Sequence, residues 1–170
     1  GGGEHITAIQ FLNDTVGYMV VGPYGGTYKT TDGGFNWTLQ SVTGNFCYVD
    51  ALHFFNETNG VLGGSGCFEG ELIQLINAGS SSLANAESGF GGGPNSMITD
   101  FDFLDASLGL ATSADSRIYR TTDGGANWDT IPVPVSTPLT SVKFIDDTLV
   151  YAGYDDLGGS FGLLVSTDAG

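Results

Sequence analysis

Short apolar runs alternate with polar turns along the whole chain, and the runs return at a regular interval. Each run has about four to eight residues and is bounded by Gly, Asn or Asp, a pattern typical of β-strands joined by turns. No stretch long enough for a stable helix carries a helical period of apolar residues. The opening run of each interval predicts first strands at Ile6–Leu12, Tyr48–Phe55, Ile98–Leu104 and Leu139–Ile145.

A repeated motif closes the third run of each interval. The segment Thr30–Trp37 (TTDGGFNW) recurs as Thr121–Trp128 (TTDGGANW), and Ser166–Gly170 begins a third copy. Between them, Ile76–Gly79 is a weaker echo, with Leu75 and Asn77 in the Ser/Thr and Asp positions. The steps from Asp32 to Asn77, to Asp123 and to Asp168 are 45, 46 and 45 residues. Such a constant period indicates structural repeats.

Four antiparallel strands in roughly 45 residues correspond to one blade of a β-propeller. The sequence therefore predicts an all-β, propeller-type domain with blades at 5–46, 47–95, 96–138 and 139–170, the last one incomplete. No spare N-terminal strand is left to complete the last blade, and a bare sheet edge invites aggregation. We therefore expect the chain to be part of a longer protein.

The residue types of the motif are those that a tight turn requires. We expect the Asp carboxylate to accept hydrogen bonds from backbone N–H groups one and two residues onward. The two glycines supply positive φ angles without steric cost. The Trp that follows is expected to cover the turn and to pack between neighbouring blades. These predictions make the Asp residues structural, not catalytic.

The pattern Ser/Thr-x-Asp-x-Gly-x-x-Trp resembles the Asp-box, or BNR, repeat. This resemblance implies a β-propeller and assigns a structural role to matched residues in three copies. They are Thr30, Asp32, Gly34 and Trp37; Thr121, Asp123, Gly125 and Trp128; and Ser166, Asp168 and Gly170.

Within that family, the segments GGTYKTTDGGFNW and SRIYRTTDGGANW are most similar to the photosystem-assembly-factor-like and sortilin-like bacterial exoproteins. Many of these are surface proteins of Bacteroidota exported by type IX secretion. The resemblance implies a secreted or cell-surface location. It also draws attention to Asp-Thr-aliphatic triplets that resemble a bacterial O-glycosylation motif, with acceptors at Thr15, Thr130 and Thr148.

Charge narrows the range of partners. The chain has 19 acidic and 4 basic residues, which gives a net charge of −15. Nucleic-acid binding depends on Lys and Arg neutralising phosphates, so a nucleic-acid partner is not expected. Membrane insertion is not expected either, because no apolar stretch has the length of a membrane span. No cofactor or metal site is predicted, since a zinc site would need more ligands than the two cysteines and the distant His5 and His53 offer.

Candidate catalytic groups are few. A sialidase-type site needs three arginines around a carboxylate, and the chain has two, Arg117 and Arg120, whose spacing places them on opposite faces of a strand. A glycosidase could use paired carboxylates. The candidates for that alternative are Asp100, Asp102, Asp155 and Asp156.

The two cysteines lie near the ends of a predicted hairpin that turns at Asn56–Asn59. Cys47 opens the first strand of the second repeat and Cys67 closes the next, so the pair is within bridging distance. A Cys47–Cys67 disulfide is predicted, which favours an oxidising compartment. Two reduced thiols are the alternative.

These observations lead to three hypotheses about function. The first is a non-enzymatic secreted or cell-surface scaffold that binds or displays a protein or a surface glycan, as cargo or component of a secretion or surface assembly. The second is a carbohydrate-active enzyme with its catalytic residues largely outside this segment. The third is a structural repeat of a long adhesin. The Gly-rich stretch Gly79–Ser96 is either a binding loop or disordered.

Overall fold

The computed structural model describes residues 5–22, 26–42, 46–67, 70–77, 80–83, 85–86, 96–155, 158–159 and 161–168. Within these residues the chain forms strands and no helix, which confirms the predicted all-β class. The strands are β1 (His5–Phe11), β2 (Gly17–Gly22), β3 (Gly26–Thr30), β4 (Thr38–Val42), β5 (Phe46–Phe54), β6 (Asn59–Gly66), β7 (Gly70–Asn77), β8 (Ser80–Leu83), β9 (Asn85–Ala86), β10 (Ile98–Phe103), β11 (Gly109–Ser113), β12 (Arg117–Thr121), β13 (Asn127–Ile131), β14 (Leu139–Phe144), β15 (Val150–Asp155) and β16 (Phe161–Ser166).

The strands form four antiparallel sheets, each of which is one blade. Blade 1 is β1–β4, blade 2 is β5–β8, blade 3 is β10–β13, and blade 4 is β14–β16. Within a blade each strand pairs with the next along the chain. The short strand β9 pairs in parallel with β13 and so lies at the outer edge of blade 3.

The first strand of every blade carries the same apolar pattern and the same irregularity. Apolar residues stand at positions one, four and six of a six-residue segment, and a register shift separates positions one and three. This bulge turns residues of the strand toward both neighbouring blades, as bulges commonly do. The segments are Ile6–Phe11, Val49–Phe54, Ile98–Phe103 and Leu139–Phe144.

The core consists of three apolar layers between successive blades. Sheets pack face to face through such layers, and each layer here combines residues of two adjacent blades. Val20, Val49 and Phe54 belong to the first layer; Val61, Ile98 and Phe101 to the second; Leu110, Leu139 and Val142 to the third. Among the described residues, blade 1 has no such layer on its other side, where Ile6, Ile9 and Phe11 are 56%, 54% and 44% exposed.

Polar side chains on the first strands connect each blade to the next. The Thr7 hydroxyl donates to the Val49 carbonyl oxygen, and the Gln10 amide both donates to and accepts from the backbone of Phe54. Thr99 repeats the first of these bonds, donating to the Leu139 carbonyl oxygen at 2.8 Å.

The register of the echo in blade 2 differs from the prediction. Thr30 pairs with Gly17 in blade 1, and the corresponding pair in blade 2 is Ile76 with Gly60. Ile76 therefore occupies the Ser/Thr position that the spacing of the motif had given to Leu75. The alignment by strand pairing thus differs by one residue from the alignment by motif spacing. The β6–β7 hairpin pairs over eight residues on each strand, so its pairing and not the motif spacing sets the register.

Candidate functional site

The two complete motifs form the same hydrogen-bonded turn, called here the aspartate turn (Thr30–Trp37 and Thr121–Trp128). In the first copy the Thr30 hydroxyl donates to Asp32 Oδ1 at 2.8 Å and accepts the backbone N–H of Gly34 at 2.9 Å. The Asp32 carboxylate accepts the backbone N–H of Asn36 at 2.9 Å and its side-chain amide at 2.7 Å. The indole N–H of Trp37 donates to the Gly34 carbonyl oxygen at 3.0 Å.

The second copy forms every one of these hydrogen bonds. In both copies the N–H groups that the Asp carboxylate binds differ from the predicted ones. The Asp carboxylate accepts the N–H group four residues onward, and the Thr hydroxyl accepts the one two residues onward. The N–H group directly after the Asp donates instead to a backbone carbonyl oxygen, that of Thr15 in the first copy and that of Ser107 in the second. Asn36 and Asn127 are therefore part of the turn, a role that the motif pattern did not predict for them; their presence in both copies was the available signal. The predicted positive φ angles are confirmed at Gly33 (74°) and Gly34 (92°).

The third motif is present as a half turn. The Ser166 hydroxyl donates to Asp168 Oδ1 at 2.6 Å, as the threonines do in the complete copies. The predicted Gly170 lies outside the described residues.

The carboxylates of the aspartate turns are held as anions. Hydrogen bonds from the side chain and the backbone N–H of Asn36, and then from Thr30, lower the pKa of Asp32. Burial opposes the shift at Asp123, but the bonds from Asn127 and Thr121 outweigh it, so that the pKa of Asp123 is also lowered. Donors directed at a carboxylate favour its charged form.

A second family of polar turns joins the first and second strands of each blade. In each, one Asn or Asp side chain accepts backbone N–H groups two and three residues onward, forming an Asx turn. The same oxygen accepts a nearby hydroxyl, and backbone bonds at 2.9 Å tie two of these turns to the aspartate turn of the same blade. The capping residues are Asn13, Asn56, Asp105 and Asp146.

The carboxylates considered for glycosidase chemistry are part of the interface between blades 3 and 4. Asp100 accepts the backbone N–H of Val142 at 3.0 Å, and Asp102 accepts that of Phe144 at 2.6 Å. Asp102 also forms an ion pair of 2.7 Å with Lys143. Burial raises the pKa of Asp100, an effect that its hydrogen bonds from Val142 and Phe101 oppose. Both side chains thus bond the β14 backbone.

Of the other two candidates, the structure describes Asp155. Asp155 ends β15, and its backbone N–H donates to the Pro138 carbonyl oxygen at 3.1 Å. Asp156 lies outside the described residues.

A buried carboxylate that the sequence analysis missed links blades 2 and 3. The Glu71 side chain has no exposed surface, and it accepts hydrogen bonds from Ser96 at 2.7 Å and from Ser113 and Tyr119. The guanidinium of Arg117 lies 3.9 Å from it. Three hydroxyls and a nearby cation provide the compensation that a buried charge requires. Its full burial excludes a substrate, so this cluster is an inter-blade contact.

Cys47 and Cys67 form a disulfide with a Cα–Cα distance of 4.8 Å. Cys47 lies in β5 beside a register shift, and Cys67 directly follows β6. The bridge therefore joins the two strands at the end of the hairpin opposite its turn.

The hydroxyls of the three candidate O-glycosylation sites lie on exposed residues. Thr15 and Thr148 belong to Asx turns, where their hydroxyls donate to Asn13 at 3.0 Å and to Asp146 at 2.8 Å. Thr130 lies on β13, the fourth strand of blade 3.

The part of the chain that the structure describes holds no cluster of three or more His, Cys, Asp or Glu side chains placed to bind a metal. The His53 ring packs 4.7 Å from Phe103 and 5.0 Å from Phe55, and burial lowers its pKa. No helix in the described residues has the length and apolar character to cross a membrane.

The sheet arrangement defines this chain as a β-propeller, and comparison with solved structures shows the same fold. The GH74 enzyme of Niastella koreensis superposes with a TM-score of 0.72 at 19% identity, covering 94% of this chain and 28% of the enzyme. An ancestral GH74 enzyme gives 0.69 at 16%, covering 94% and 24%. YCF48 bound to D1 peptide gives 0.53 at 16%, covering 93% and 62%.

The chain thus spans about a quarter of the length of the GH74 enzymes that it matches. No protein-family model matches its sequence, and no curated protein matches it. At these identities the likeness shows the fold alone.

Proposed function

We propose that this chain is a non-enzymatic scaffold of a secreted or cell-surface β-propeller, built from Asp-box repeats, which binds a protein or a surface glycan. One observation carries the proposal: Asp100 and Asp102, two of the carboxylates considered for hydrolysis, accept backbone N–H groups of blade 4. Carboxylates engaged in this way stabilise the interface and do not approach a substrate. In this proposal the aspartate turns are structural as well.

Binding of a protein is supported by one of the structural neighbours. YCF48 was solved with a bound peptide, and its fold superposes on 93% of this chain. Rigid propellers position loops and faces for recognition, and such loops are where binding is usually located. The partner of this chain is proposed to be a protein of a secretion or surface assembly.

A secreted or surface location is supported by the disulfide and by exposed threonines. Disulfides persist in oxidising compartments and are rare in the cytosol. The mass of the natively purified chain, with and without reduction, tests this location. We expect a Cys47–Cys67 link and sugar additions at Thr15, Thr130 or Thr148. Free thiols and an unmodified mass would contradict it.

The main alternative is a glycosidase whose catalytic residues lie largely outside this segment, which the likeness to two GH74 enzymes favours. The variant Asp102→Asn separates the two proposals when it is assayed in the longer protein that this alternative requires, because it removes a carboxylate that this segment would contribute. In a scaffold, the wild-type chain hydrolyses none of a panel of β-glucans including xyloglucan. The variant then loses about 1–3 kcal/mol of unfolding free energy, because the Phe144 N–H and Lys143 lose a charged partner.

The control for this experiment is Asp129→Asn, which removes the same charge from an exposed position on β13. We expect its urea midpoint to equal that of the wild type. Hydrolysis by the wild-type chain that disappears in Asp102→Asn, with an unchanged midpoint, would establish the enzyme and end the scaffold proposal. A chain that neither hydrolyses glycans nor binds any partner fits the third hypothesis, a repeat of a long adhesin.

A further inference from the structure

A cavity of about 240 Å³ opens between blades 2 and 3, at the end of the sheets where the Asx turns and the aspartate turns lie. Blade 2 contributes the start of β6 and the end of β7, and blade 3 contributes one residue of each kind of turn. The described residues of its lining carry no charged side chain. Its apolar walls and its amide side chains are Phe55, Leu75 and Ala106, and Asn56, Asn59 and Asn77.

The corresponding place between blades 1 and 2 is occupied by an ion pair. The ammonium group of Lys29 on β3 lies 3.0 Å from the carboxylate of Glu57 in the Asx turn of blade 2. Strand pairing places Leu75 at the position of Lys29, one residue before the Ser/Thr position of the motif. Ala106 holds the position of Glu57, directly after the capping residue of the Asx turn. Two apolar side chains thus replace the ion pair between blades 2 and 3, and the cavity that they line is uncharged.

One polar atom at this cavity is buried without a hydrogen bond. The Oδ1 atom of Asn59 has no donor within hydrogen-bond distance among the described residues. The same position is apolar in the other three blades, where Val16, Leu108 and Leu149 make the same backbone bonds in their Asx turns. The turn therefore requires no polar side chain here. Because a buried acceptor without a donor costs free energy, Asn59 is unfavourable for folding alone.

We propose that this cavity binds one uncharged sugar residue of a glycan, which donates a hydroxyl hydrogen bond to Asn59 Oδ1 and packs its C–H face against Phe55. Binding sites for small molecules combine apolar and aromatic walls with a few polar groups, as this cavity does. A charged ligand is disfavoured, since it would lose hydration without meeting an opposite charge. This inference rests on the proposed scaffold function and specifies its glycan-binding form.

The size and the lining of the cavity favour a single sugar ring. Its volume is below the roughly 300–1,000 Å³ of sites that enclose larger ligands. Three amide side chains around one ring match the several hydroxyls of a sugar better than the single amide group of a Gln or Asn side chain from a peptide.

Titration of the isotope-labelled 170-residue chain with neutral methyl glycosides tests the proposal by NMR. The probes are the methyl β-glycosides of glucose, galactose and N-acetylglucosamine. We expect at least one of them to shift the side-chain amide signals of Asn59 and the backbone signals of Ala106 and Gly124 saturably. A ligand of about a dozen heavy atoms should bind with a dissociation constant of about 0.1–10 mM.

The variant Asn59→Leu separates a role in binding from a role in folding. It installs the residue type that blades 3 and 4 have at this position. We expect it to weaken sugar binding by about tenfold or more, while its urea midpoint equals or exceeds that of the wild type. The control Asp129→Asn changes an exposed residue of β13 outside the lining of the cavity, and it should leave the affinity within about twofold.

The double variant Leu75→Lys with Ala106→Glu tests the location of the site independently. It introduces between blades 2 and 3 the two residue types that form the ion pair between blades 1 and 2. These larger side chains should fill the cavity and abolish saturable binding. Circular dichroism melts verify that both variants are folded.

Three outcomes would overturn the proposal. One is that no glycoside shifts the signals of the cavity saturably, or that free sugars bind and their methyl glycosides do not. Another is binding that neither Asn59→Leu nor the double variant weakens. The third is tighter binding of N-acetylglutaminamide than of any glycoside, which would make a peptide amide the ligand. The scaffold function fails by a different result, glycan hydrolysis that Asp102→Asn abolishes, so the absence of sugar binding would remove this site alone.

Discussion

Blades 1 and 3 present the same side chains toward the position of the preceding blade, and their burial differs greatly. The rings of Phe11 and Trp37 lie 6.0 Å apart at 78°, and those of Phe103 and Trp128 have the same separation and angle. Blade 2 covers this face in blade 3, where Trp128 is 1% exposed and Phe103 is partly buried, whereas in blade 1 Trp37 is only partly buried and Phe11 is 44% exposed. Local geometry is thus fixed within a blade, and burial is conferred by the neighbour.

This difference in burial predicts that two equivalent Trp→Ala substitutions lower the unfolding free energy by unequal amounts. Trp128→Ala removes a buried indole and should cost about 3–5 kcal/mol of unfolding free energy. Trp37→Ala removes a partly buried one and should cost about 1–2 kcal/mol. Urea unfolding followed by circular dichroism measures both. Phe35→Ala, at a residue 90% exposed in the same turn, is the control and should change the free energy by less than about 0.5 kcal/mol.

Equal losses of unfolding free energy in the two tryptophan variants would contradict the difference in burial between blades 1 and 3. They would mean that blade 1 is covered in solution, by a second copy or another sheet. Repeating the Trp37→Ala measurement over a range of protein concentrations separates these cases, because self-association makes stability depend on concentration.

The apolar pattern was sufficient to predict the fold because each blade satisfies its own strand pairing. The four first strands, the turns after them and the absence of helices in the described residues follow from features that repeat every 45 or 46 residues. The exposure of Ile6, Ile9 and Phe11 could not be predicted, since the same pattern is buried in the other blades. Coverage depends on contacts between blades, which no local pattern contains.

The chemistry of the candidate site was harder to predict for the same reason. Glu71 bonds to residues 25, 42 and 48 positions away, and Asp102 bonds to the backbone 42 positions away. A carboxylate in such an interface looks, in sequence, like a solvated loop acid. The aspartate turns, by contrast, form all their side-chain hydrogen bonds within eight residues. There the prediction was wrong in one respect, the N–H group that the carboxylate binds.

The smallest expected effect concerns the turn carboxylates, which blades 1 and 3 hold in the same way. The lowered pKa of Asp32 and of Asp123 lies below the ordinary value of 3.8. A carboxyl with a depressed folded-state pKa contributes stability above its unfolded pKa and loses it as pH falls through the folded-state pKa. The half-buried Asp100, whose pKa is raised, acts in the opposite direction: its contribution falls as pH rises from 3.8 through its folded-state pKa.

Asp32→Asn and Asp123→Asn should therefore differ from the wild type at neutral pH and converge toward it as the pH falls from about 3.8 through the folded-state pKa, below which the wild-type carboxyl is protonated. Urea midpoints from about pH 2.5 to about pH 7 measure the convergence. Asp129→Asn, which removes an exposed charge outside the turns, should run parallel to the wild type throughout. Because the turn bonds are closed within each blade, both variants should show the same pH dependence despite the different coverage of their blades. A convergence seen for Asp123→Asn alone would instead mean that the neighbouring blade, and not the turn itself, sets the acidity of the carboxylate.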